Sequence, residues 1–233
     1  TYYESGKLDS GLEIVHAAIE ISEEIGNLMG HSGALGFAMP LYLDKGEIEL
    51  ALDRGKQSAD IAHETDAGMF ELAASSVLGW CYGTVGLFDD GLDALNIDKT
   101  EDGEGAEFFK LINSVKAYLH LAKGNTDQAN EFIAAAYGSL DMDDLSPMVG
   151  VYIGVFQFLP AVIIGETLWT MGHYERMRAF TESSRRLMED RKIDIFALEM
   201  MRLKGQAEYA LGLHDEARET LTHALERAKE FGS

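Results

Sequence analysis

The sequence contains little cysteine, proline or basic charge, and each shortage excludes a class of protein. Among 233 residues there is one cysteine, Cys81, so the chain can form neither an internal disulfide nor a thiolate zinc site of its own. Only 3 prolines occur, which suits long helices. The 19 Lys and Arg residues stand against 40 Asp and Glu residues, and a net charge of −21 argues against nucleic acid and anionic membranes as partners. These shortages favour an acidic, helical, cytoplasmic protein.

Motifs for catalysis and cofactor binding are also missing. The pair Gly55-Lys56 lacks both the upstream glycine and the following Ser or Thr of a phosphate-binding loop. The pair His63-Glu64 lacks the second histidine of a zinc-protease helix. No Gly-x-Ser-x-Gly turn is present. We therefore predict no catalytic residue, no cofactor and no metal, so that any catalysis would come from a domain outside this chain.

The longest apolar run extends from Pro147 to Gly165, and Gln157 is its one strongly polar residue. The run is as long as a membrane span. However, it includes three glycines and Pro160, and its flank is acidic rather than basic. We therefore predict a helix buried inside the protein and no membrane insertion.

A sequence pattern recurs along the chain with a step of 40 residues. Its first three copies are Tyr2, Gly6, Gly11; Tyr42, Gly46, Ala51; and Tyr82, Gly86, Gly91. Three looser copies follow, and the central glycine of each copy is here called an anchor glycine. The six anchor glycines are Gly6, Gly46, Gly86, Gly124, Gly172 and Gly212. Glycine permits positive φ, so each anchor is predicted to end one helix, helix A, and to turn the chain into a second, helix B.

Small residues accompany the anchors on both sides. The set five residues after an anchor is Gly11, Ala51, Gly91, Ala129 and Ala217, and the set seven residues before is Gly79, Ala117, Gly165 and Gly205. Their small size predicts close approach of neighbouring helices. Two copies depart from the pattern: in the third, helix B is expected to stop near Asn96, before the acidic loop 98–104. In the fifth, helix A is expected to be about two turns too long and kinked at Pro160.

The run from Ala207 to Ala217, continued by Leu221, Leu225 and Ala228, resembles a tetratricopeptide repeat. The usual period of that family is ~34 residues. The longer step is similar to the helical arms of bacterial signalling ATPases and transcription regulators, and to the C-terminal part of multidomain adenylate or guanylate cyclases. The resemblance implies a right-handed α-solenoid of about six antiparallel helix pairs, forming one domain over residues 1–233 that is a piece of a longer protein. Its predicted repeat units are 1–26, 27–66, 67–103, 104–145, 146–192 and 193–233.

In this family, positions six and three before each anchor face the concave groove of the solenoid. Aromatic residues stand at four of these positions: Trp80, Tyr118, Trp169 and Tyr209. Trp and Tyr dominate binding hot spots, so the resemblance implies a groove for a peptide or a helix. The alternative, which stays open, is that these aromatics only pack between repeats.

A basic segment stands out against the acidic composition. Residues 176–192 contain six basic and three acidic residues. Four of the basic residues form a candidate docking patch for an acidic partner or for the acidic loop of a second copy: Arg178, Arg185, Arg186 and Lys192. The alternative is a set of ion pairs at three- and four-residue spacing along one helix, which has no binding role.

Together these patterns predict a non-catalytic scaffold that binds a protein or a peptide through the concave face of the solenoid. The alternative is an intramolecular sensor or regulatory arm of a larger signalling protein, such as a cyclase or a signalling ATPase, whose partner is another domain of the same polypeptide. An enzyme with a site in the groove is the third and least favoured possibility. Nucleic acid is not expected as a partner, whereas self-association is compatible with the basic segment.

Overall fold

The structure is a computed structural model that describes residues 6–97, 106–137, 159–190 and 192–231. Within these ranges it contains eleven α-helices and no β-strand, so the predicted all-α class is confirmed for this part of the chain. The helices are α1 Leu8–Glu24, α2 Leu28–Asp44, α3 Ile48–Glu64, α4 Gly68–Thr84, α5 Phe88–Ala94, α6 Ala106–Ala122, α7 Thr126–Tyr137, α8 Leu159–Thr170, α9 Tyr174–Asp190, α10 Asp194–Ala210 and α11 His214–Phe231.

The chain divides into two compact units. The first, here called the N unit, is Leu8–Gly138 and contains α1 to α7. The second, the C unit, is Ser139–Ser233 together with Thr1–Lys7, and it contains α8 to α11. Every helix lies inside one of the six repeat units predicted from the sequence. The stacking of all six units as one domain stays a prediction.

The helices are joined by one kind of turn. After α2, the N–H of Gly46 donates to the carbonyl of Leu43 at 2.9 Å, and the N–H of Glu47 donates to the carbonyl of Tyr42 at 2.9 Å. This pair of bonds is the Schellman motif, which satisfies carbonyls at the end of a helix and needs a left-handed residue in the middle. All six anchor glycines have the required positive φ, between 70° and 81°. The predicted role is therefore confirmed for the five anchors that stand between two described helices, whereas the helix A predicted before Gly6 lies outside the described residues.

The same turn also leads from helix B to the next helix A. Its left-handed residues are Gly26, Asp66 and Lys192, with φ of 67°, 50° and 59°. The N–H of Asn27 donates to the carbonyl of Ser22 at 2.8 Å, as in the other turns. The smallest recurring element is therefore one helix of 17 residues and one turn of three, as in α1 to α4. The sequence pattern does not reveal this half-repeat, because two of its left-handed residues, Asp66 and Lys192, are not glycine.

The even-numbered helices, which are the predicted A helices, form the interior of each unit. In the N unit, α4 packs against α2, α3, α5 and α6, so it is surrounded on several sides. It buries eleven residues, whereas α3 buries four. Consecutive A helices also pack directly on one another: α2 on α4 and α4 on α6 in the N unit, and α8 on α10 in the C unit. Each A helix consequently keeps only a narrow accessible face.

Small residues allow the close helix contacts that the sequence predicts. A Cβ atom added to Gly91 would lie 3.1 Å from the carbonyl oxygen of Gly79, so α4 and α5 touch through their backbones. A Cβ atom on Gly79 would lie 2.7 Å from Cγ of Leu95. In the C unit, a Cβ atom on Gly205 would lie 2.6 Å from Cγ of Leu221, at the same two repeat positions. Gly79 and Gly205 therefore allow an A helix to pack closely on its own B helix, whereas Gly165 faces Leu203 of α10, the next A helix.

The two irregular copies are partly described. Helix α5 has 7 residues, which confirms the short helix B of the third copy. The acidic loop 98–104 lies outside the described residues. Helix α8 is described from Leu159 onward, so the extra turns and the kink predicted around Pro160 also lie largely outside them.

Helix α2 contains a proline in its interior, which the sequence patterns do not predict. Pro40 is buried, and it lacks the N–H that would donate to the carbonyl of Gly36 one turn earlier. Pro40 stands six residues before an anchor, at the repeat position that Trp80 and Tyr118 occupy in the next two A helices. Among the described helices, none has both the length and the apolar character needed to cross a membrane.

Candidate partner-binding surface

The accessible face of α4 is one narrow stripe. Between Glu71 and Gly83 every residue is buried except Ala73 and Trp80, which are half-buried. These two residues lie on the same side of the helix as Met69, because spacings of four and seven residues return to one face. Met69 is 52% exposed. Helix α4 therefore presents methionine, alanine and tryptophan to its surroundings and no charged side chain between them.

Trp80 of α4 contacts Tyr118 of α6. Their ring centroids are 5.1 Å apart and the rings are tilted by 46°, a geometry that contributes about 1 kcal/mol beyond the buried area. Gly83 makes this contact possible, since a Cβ atom there would lie 2.9 Å from Cε1 of Tyr118. Two of the four predicted groove aromatics are thus brought together. Both stay half-buried, so each packs against its neighbour and keeps accessible surface.

The stripe continues onto α2, the A helix on the other side of α4. Met29 is 50% exposed and stands 40 residues before Met69, at the same repeat position. Phe37 of the same helix is 45% exposed. We give the name A face to five of the apolar residues with accessible surface on α2, α4 and α6: Met29, Phe37, Met69, Trp80 and Tyr118. The A face lies on three helices that pack in sequence, in a unit with 23 acidic and 7 basic residues over 8–138.

The C unit has polar side chains at the repeat positions that Trp80 and Tyr118 occupy in the N unit. Glu166 of α8 and Gln206 of α10 stand six residues before their anchors. Arg202 of α10 hydrogen-bonds to Glu166, donates to Glu199 at 2.7 Å, and donates to Gln206 at 3.2 Å. Burial lowers the pKa of Arg202, but the carboxylates of Glu199 and Glu166 outweigh it and raise that pKa above its ordinary value. This face of the C unit is an ion-pair network.

The two remaining predicted aromatics, Trp169 and Tyr209, lie in the C unit and contact different residues. The ring of Trp169 is 5.2 Å from that of Tyr174, and the ring of Tyr209 is 5.1 Å from that of His214. In both cases the partner is five residues later, across the turn between helix A and helix B. Tyr209 is 65% exposed, whereas Trp169 is half-buried. Trp169 and Tyr209 therefore each pack against the B helix of their own copy, and a groove shared by the four aromatics stays a prediction.

The basic segment lies mainly on α9, and Arg185 and Arg186 of the predicted docking patch are paired within the C unit. Arg185 donates to Glu182 at 2.9 Å and to Glu189 at 2.5 Å, and Arg186 donates to Glu182 at 2.8 Å. The hydrogen bond from Arg185, with further bonds from Lys204 and Arg186, lowers the pKa of Glu182 to about 2. This geometry is the one that the ion-pair alternative describes.

The other two members of the predicted docking patch have different environments. Arg178 lies 3.3 Å from Glu208 of α10, so it too is paired. Lys192 is exposed and occupies the left-handed position of the turn before α10. Arg186 is also accessible, with 70% of its side chain exposed. Docking through this segment stays a prediction, and the exposed members of the predicted patch are Arg178, Arg186 and Lys192.

Glu208 is a buried acid that no local spacing in the sequence reveals. Its side chain is 2% exposed and lies near Arg178, at 3.3 Å, and Lys204, at 3.7 Å. Thr220 donates a hydrogen bond to it at 2.8 Å. Glu208 stands four residues before an anchor, where the N unit has Tyr42 and Tyr82. At all three of these positions the side chain makes a polar contact with the B helix before it.

The equivalent contacts in the N unit are weaker. His16 of α1 and the hydroxyl of Tyr42 are 2.5 Å apart, and the ammonium of Lys56 lies 5.8 Å from the centre of the Tyr82 ring. The recurring tyrosine in the sequence pattern therefore joins an A helix to the preceding B helix. Its recurrence along the chain follows from packing and not from chemistry at a site.

Other reactive groups are inert or absent in the described part of the chain. Cys81 is fully buried, and burial raises the pKa of its thiol, which keeps it protonated and unreactive. No three His, Cys, Asp or Glu side chains of the described residues lie close enough together to hold a metal ion. The A face is therefore the surface whose composition departs most from its surroundings.

No protein-family model matches the chain, and no curated protein matches it.

Proposed function

We propose that this chain is a non-catalytic protein-binding scaffold of the tetratricopeptide type, in which the helix pairs stack as a right-handed solenoid. The A face is the proposed binding surface. The single observation that carries the proposal is the accessible apolar stripe on α2, α4 and α6, where Met29, Phe37 and Met69 are 50%, 45% and 52% exposed.

The chemistry of the A face suits a helix or an extended peptide. Methionine adapts its flexible side chain to varied apolar partners, and Trp and Tyr supply large contact area with few rotatable bonds. An amphipathic helix laid into such a surface would use anchors at three- and four-residue spacing. Since α4 is packed against four other helices, the surface is fixed before the partner arrives, and little ordering is needed on binding.

The partner is a separate protein or peptide, or another domain of the same polypeptide if the chain acts as the arm of a cyclase or a signalling ATPase. Both cases use the same surface. They differ in whether binding is intermolecular, so the length of the full gene product separates them.

A selection experiment tests the proposal even while the partner is unidentified. Peptides enriched from a random displayed library on this protein are expected to lose about tenfold in affinity toward Trp80→Ala or Met69→Ala. Circular dichroism melting should show that both variants stay folded. Leu50→Ala is the matched control, because Leu50 is an apolar residue with 39% exposure that lies on α3, a B helix outside the A face. Peptides that bind all three variants as well as the original chain would contradict the proposal.

A further inference from the structure

The part of the A face on α4 lies between two other A helices. Both α2 and α6 pack against α4. The accessible residues of α4 between its first turn and Gly83 are therefore those that two neighbouring A helices leave uncovered: Met69, which is 52% exposed, and the half-buried Ala73 and Trp80. We call these three residues the α4 stripe.

The turn before α4 brings acidic side chains to one end of the α4 stripe. Helix α3 ends at Glu64, and Asp66 occupies the left-handed position of the turn; both are exposed. Nδ1 of His63 lies 2.8 Å from Oε1 of Glu71 in the first turn of α4, so the end of α3 is held against the start of α4. Met69 lies in that same first turn. We call Glu64 and Asp66, at the Met69 end of the stripe, the acidic rim.

The sequence around the acidic rim supplies no cation to offset it. Residues 57–97 contain seven acidic residues and no Lys or Arg. The cations that precede this stretch have contacts of their own: Lys45 pairs with Asp9 at 2.5 Å, and the ammonium of Lys56 lies 5.8 Å from the centre of the Tyr82 ring. Exposed charges of one sign add to one local potential. A partner that reaches the Met69 end of the stripe therefore meets a negative potential.

The repeat shows that the fold does not require an acid in this turn. The residue 20 positions before an anchor is Asp66 ahead of α4 and Lys192 ahead of α10, and both have positive φ. In α10 the positions equivalent to Ala73 and Trp80 are polar and belong to the network of Arg202. The helix with the apolar stripe thus follows an acidic turn, and the helix with the polar network follows a basic one.

We propose that the A face binds a cationic segment, with apolar side chains on the α4 stripe and Lys or Arg side chains facing Glu64 and Asp66. The proposal rests on the binding function proposed above, because it names the chemistry of the partner of that same surface. Apolar burial on the stripe holds the segment, while attraction to the acidic rim selects partners by charge and speeds their encounter.

Peptides enriched from a random displayed library on the full chain are the probe. Those that lose affinity toward Trp80→Ala bind the A face, and these are the peptides to be used. We expect them to carry net positive charge. Replacement of their Lys and Arg by Gln should weaken binding by about tenfold in calorimetry. Added salt should weaken the cationic peptide and change the Gln version little.

Two variants of the chain locate the contact with the cations. Glu64→Gln with Asp66→Asn removes the charge of the acidic rim and nearly preserves its size, and asparagine also accepts the left-handed conformation. This variant should lower the affinity of the cationic peptide by about fivefold and leave that of the Gln peptide unchanged. The control, Glu49→Gln with Asp53→Asn, makes the same change in net charge near the other end of α3, where both residues are exposed. It should alter the affinity by less than about twofold.

The outcomes separate this proposal from the one on which it rests. Trp80-dependent peptides without net positive charge, or equal losses in the two charge variants, would overturn the cationic partner and leave the A face as a binding surface. If no enriched peptide depends on Trp80, the A face itself is rejected and this proposal falls with it. A dimer in sedimentation that Glu64→Gln with Asp66→Asn converts to monomer would identify a second copy as the occupant and overturn a separate cationic partner.

Discussion

The N unit and the C unit use the same helix-and-turn element and place opposite chemistry on their A helices. In the N unit the accessible side of α4 is Met69, Ala73 and Trp80, with Tyr118 beside it. In the C unit the corresponding side of α8 and α10 is a network centred on Arg202, whose partners are Glu166, Glu199 and Gln206. The fold thus determines which positions are accessible, while the residues at those positions determine whether the surface is apolar or an ion-pair network.

Net charge follows the same division. Residues 8–138 contain 23 acidic and 7 basic residues, whereas residues 139–233 contain 16 and 11. Acids in the C unit pair with cations on their own helix and on neighbouring helices, as Glu182 does with Arg185 of α9 and Lys204 of α10. In the N unit few cations are present, so most acids stay solvated on the surface. Ion pairs therefore contribute less to the packing of the N unit than to that of the C unit.

The largest expected effect comes from removing the buried acid of the C unit. Glu208→Ala should destabilise the C unit by about 3 kcal/mol, because Arg178, Lys204 and Thr220 lose a partner that is held away from water. The equivalent change in the N unit, Tyr82→Phe, keeps the ring beneath Lys56 and should cost about 0.5 kcal/mol or less. Hydrogen exchange measured helix by helix reports both. Equal costs would remove the proposed contrast between the units.

The turns should behave alike in the two units. Gly86 and Gly212 have φ of 81° and 79°, and a Cβ atom at either would meet nothing within 4 Å, so the cost of a side chain there is conformational. Gly86→Val and Gly212→Val should each destabilise by more than about 1 kcal/mol. Thermal melting measures both.

The reverse change supplies a control for the turns. Lys192 has φ of 59° without being glycine, so Lys192→Gly should stabilise the turn by about 1 kcal/mol. An unchanged melting temperature in all three turn variants would show that the left-handed residue does not limit stability.

Substitution of the two tryptophans should have different effects on peptide affinity. Trp80→Ala removes a residue of the A face and should weaken a library-selected peptide by about tenfold. Trp169 lies in the C unit, against Tyr174, so Trp169→Ala should change that affinity by less than about twofold. Titration by calorimetry gives both values. A comparable loss for the two variants would mean that the binding surface is not confined to the N unit.

Acid should weaken the C unit through Glu182. Its pKa is lowered to about 2 in the folded chain, chiefly by the hydrogen bond from Arg185. The folded state therefore releases the proton more readily than the unfolded chain, whose glutamates have a pKa of about 4.3. The resulting stability is fully present above about pH 4.3 and is lost as the pH falls toward 2. Denaturant titrations of the original chain and of Glu182→Gln should differ above pH 4 and converge near pH 2.

The stability of the N unit should depend on pH nearer to neutrality than that of the C unit, and the change should be smaller. Burial, with help from the charges of Lys123 and Lys116, lowers the pKa of His120, whose ring stacks on Phe132 at 5.3 Å. The unfolded chain then binds the proton more readily, so stability present above about pH 6.5 declines as the pH falls below it. His120→Gln should remove this decline between pH 7 and pH 5. A decline that persists in His120→Gln would assign it to another group.

The sequence predicts turns better than it predicts surfaces, for a physical reason. Positive φ favours glycine, so the anchors can be recognised in the sequence. Asp66 and Lys192 adopt the same conformation at a modest cost in free energy, and their residue types do not reveal it. Trp80, six residues before an anchor, keeps part of its surface accessible. Its contact with Tyr118, however, depends on the missing side chain of Gly83, and spacing along the chain does not predict it.

Ion pairs, too, can be predicted from the sequence only where the two residues stand close together along the chain. The pairs of Arg185 with Glu182 and Glu189 lie three and four residues apart, so helical spacing predicts them. The pair of Arg202 with Glu166 joins residues 36 apart on different helices. Only the packing of α8 on α10 brings those two side chains together. The polar character of the C unit therefore becomes visible only in three dimensions.

A hydrogen-exchange footprint tests most directly whether the A face binds a partner. A peptide selected from a displayed library is added to the full chain, and amide exchange is measured for each helix with and without it. We predict slower exchange in α2, α4 and α6 on binding and unchanged exchange in α8 and α10. Protection confined to α8 and α10, or saturable binding that leaves α2, α4 and α6 unchanged, would contradict the assignment of the A face as the binding surface.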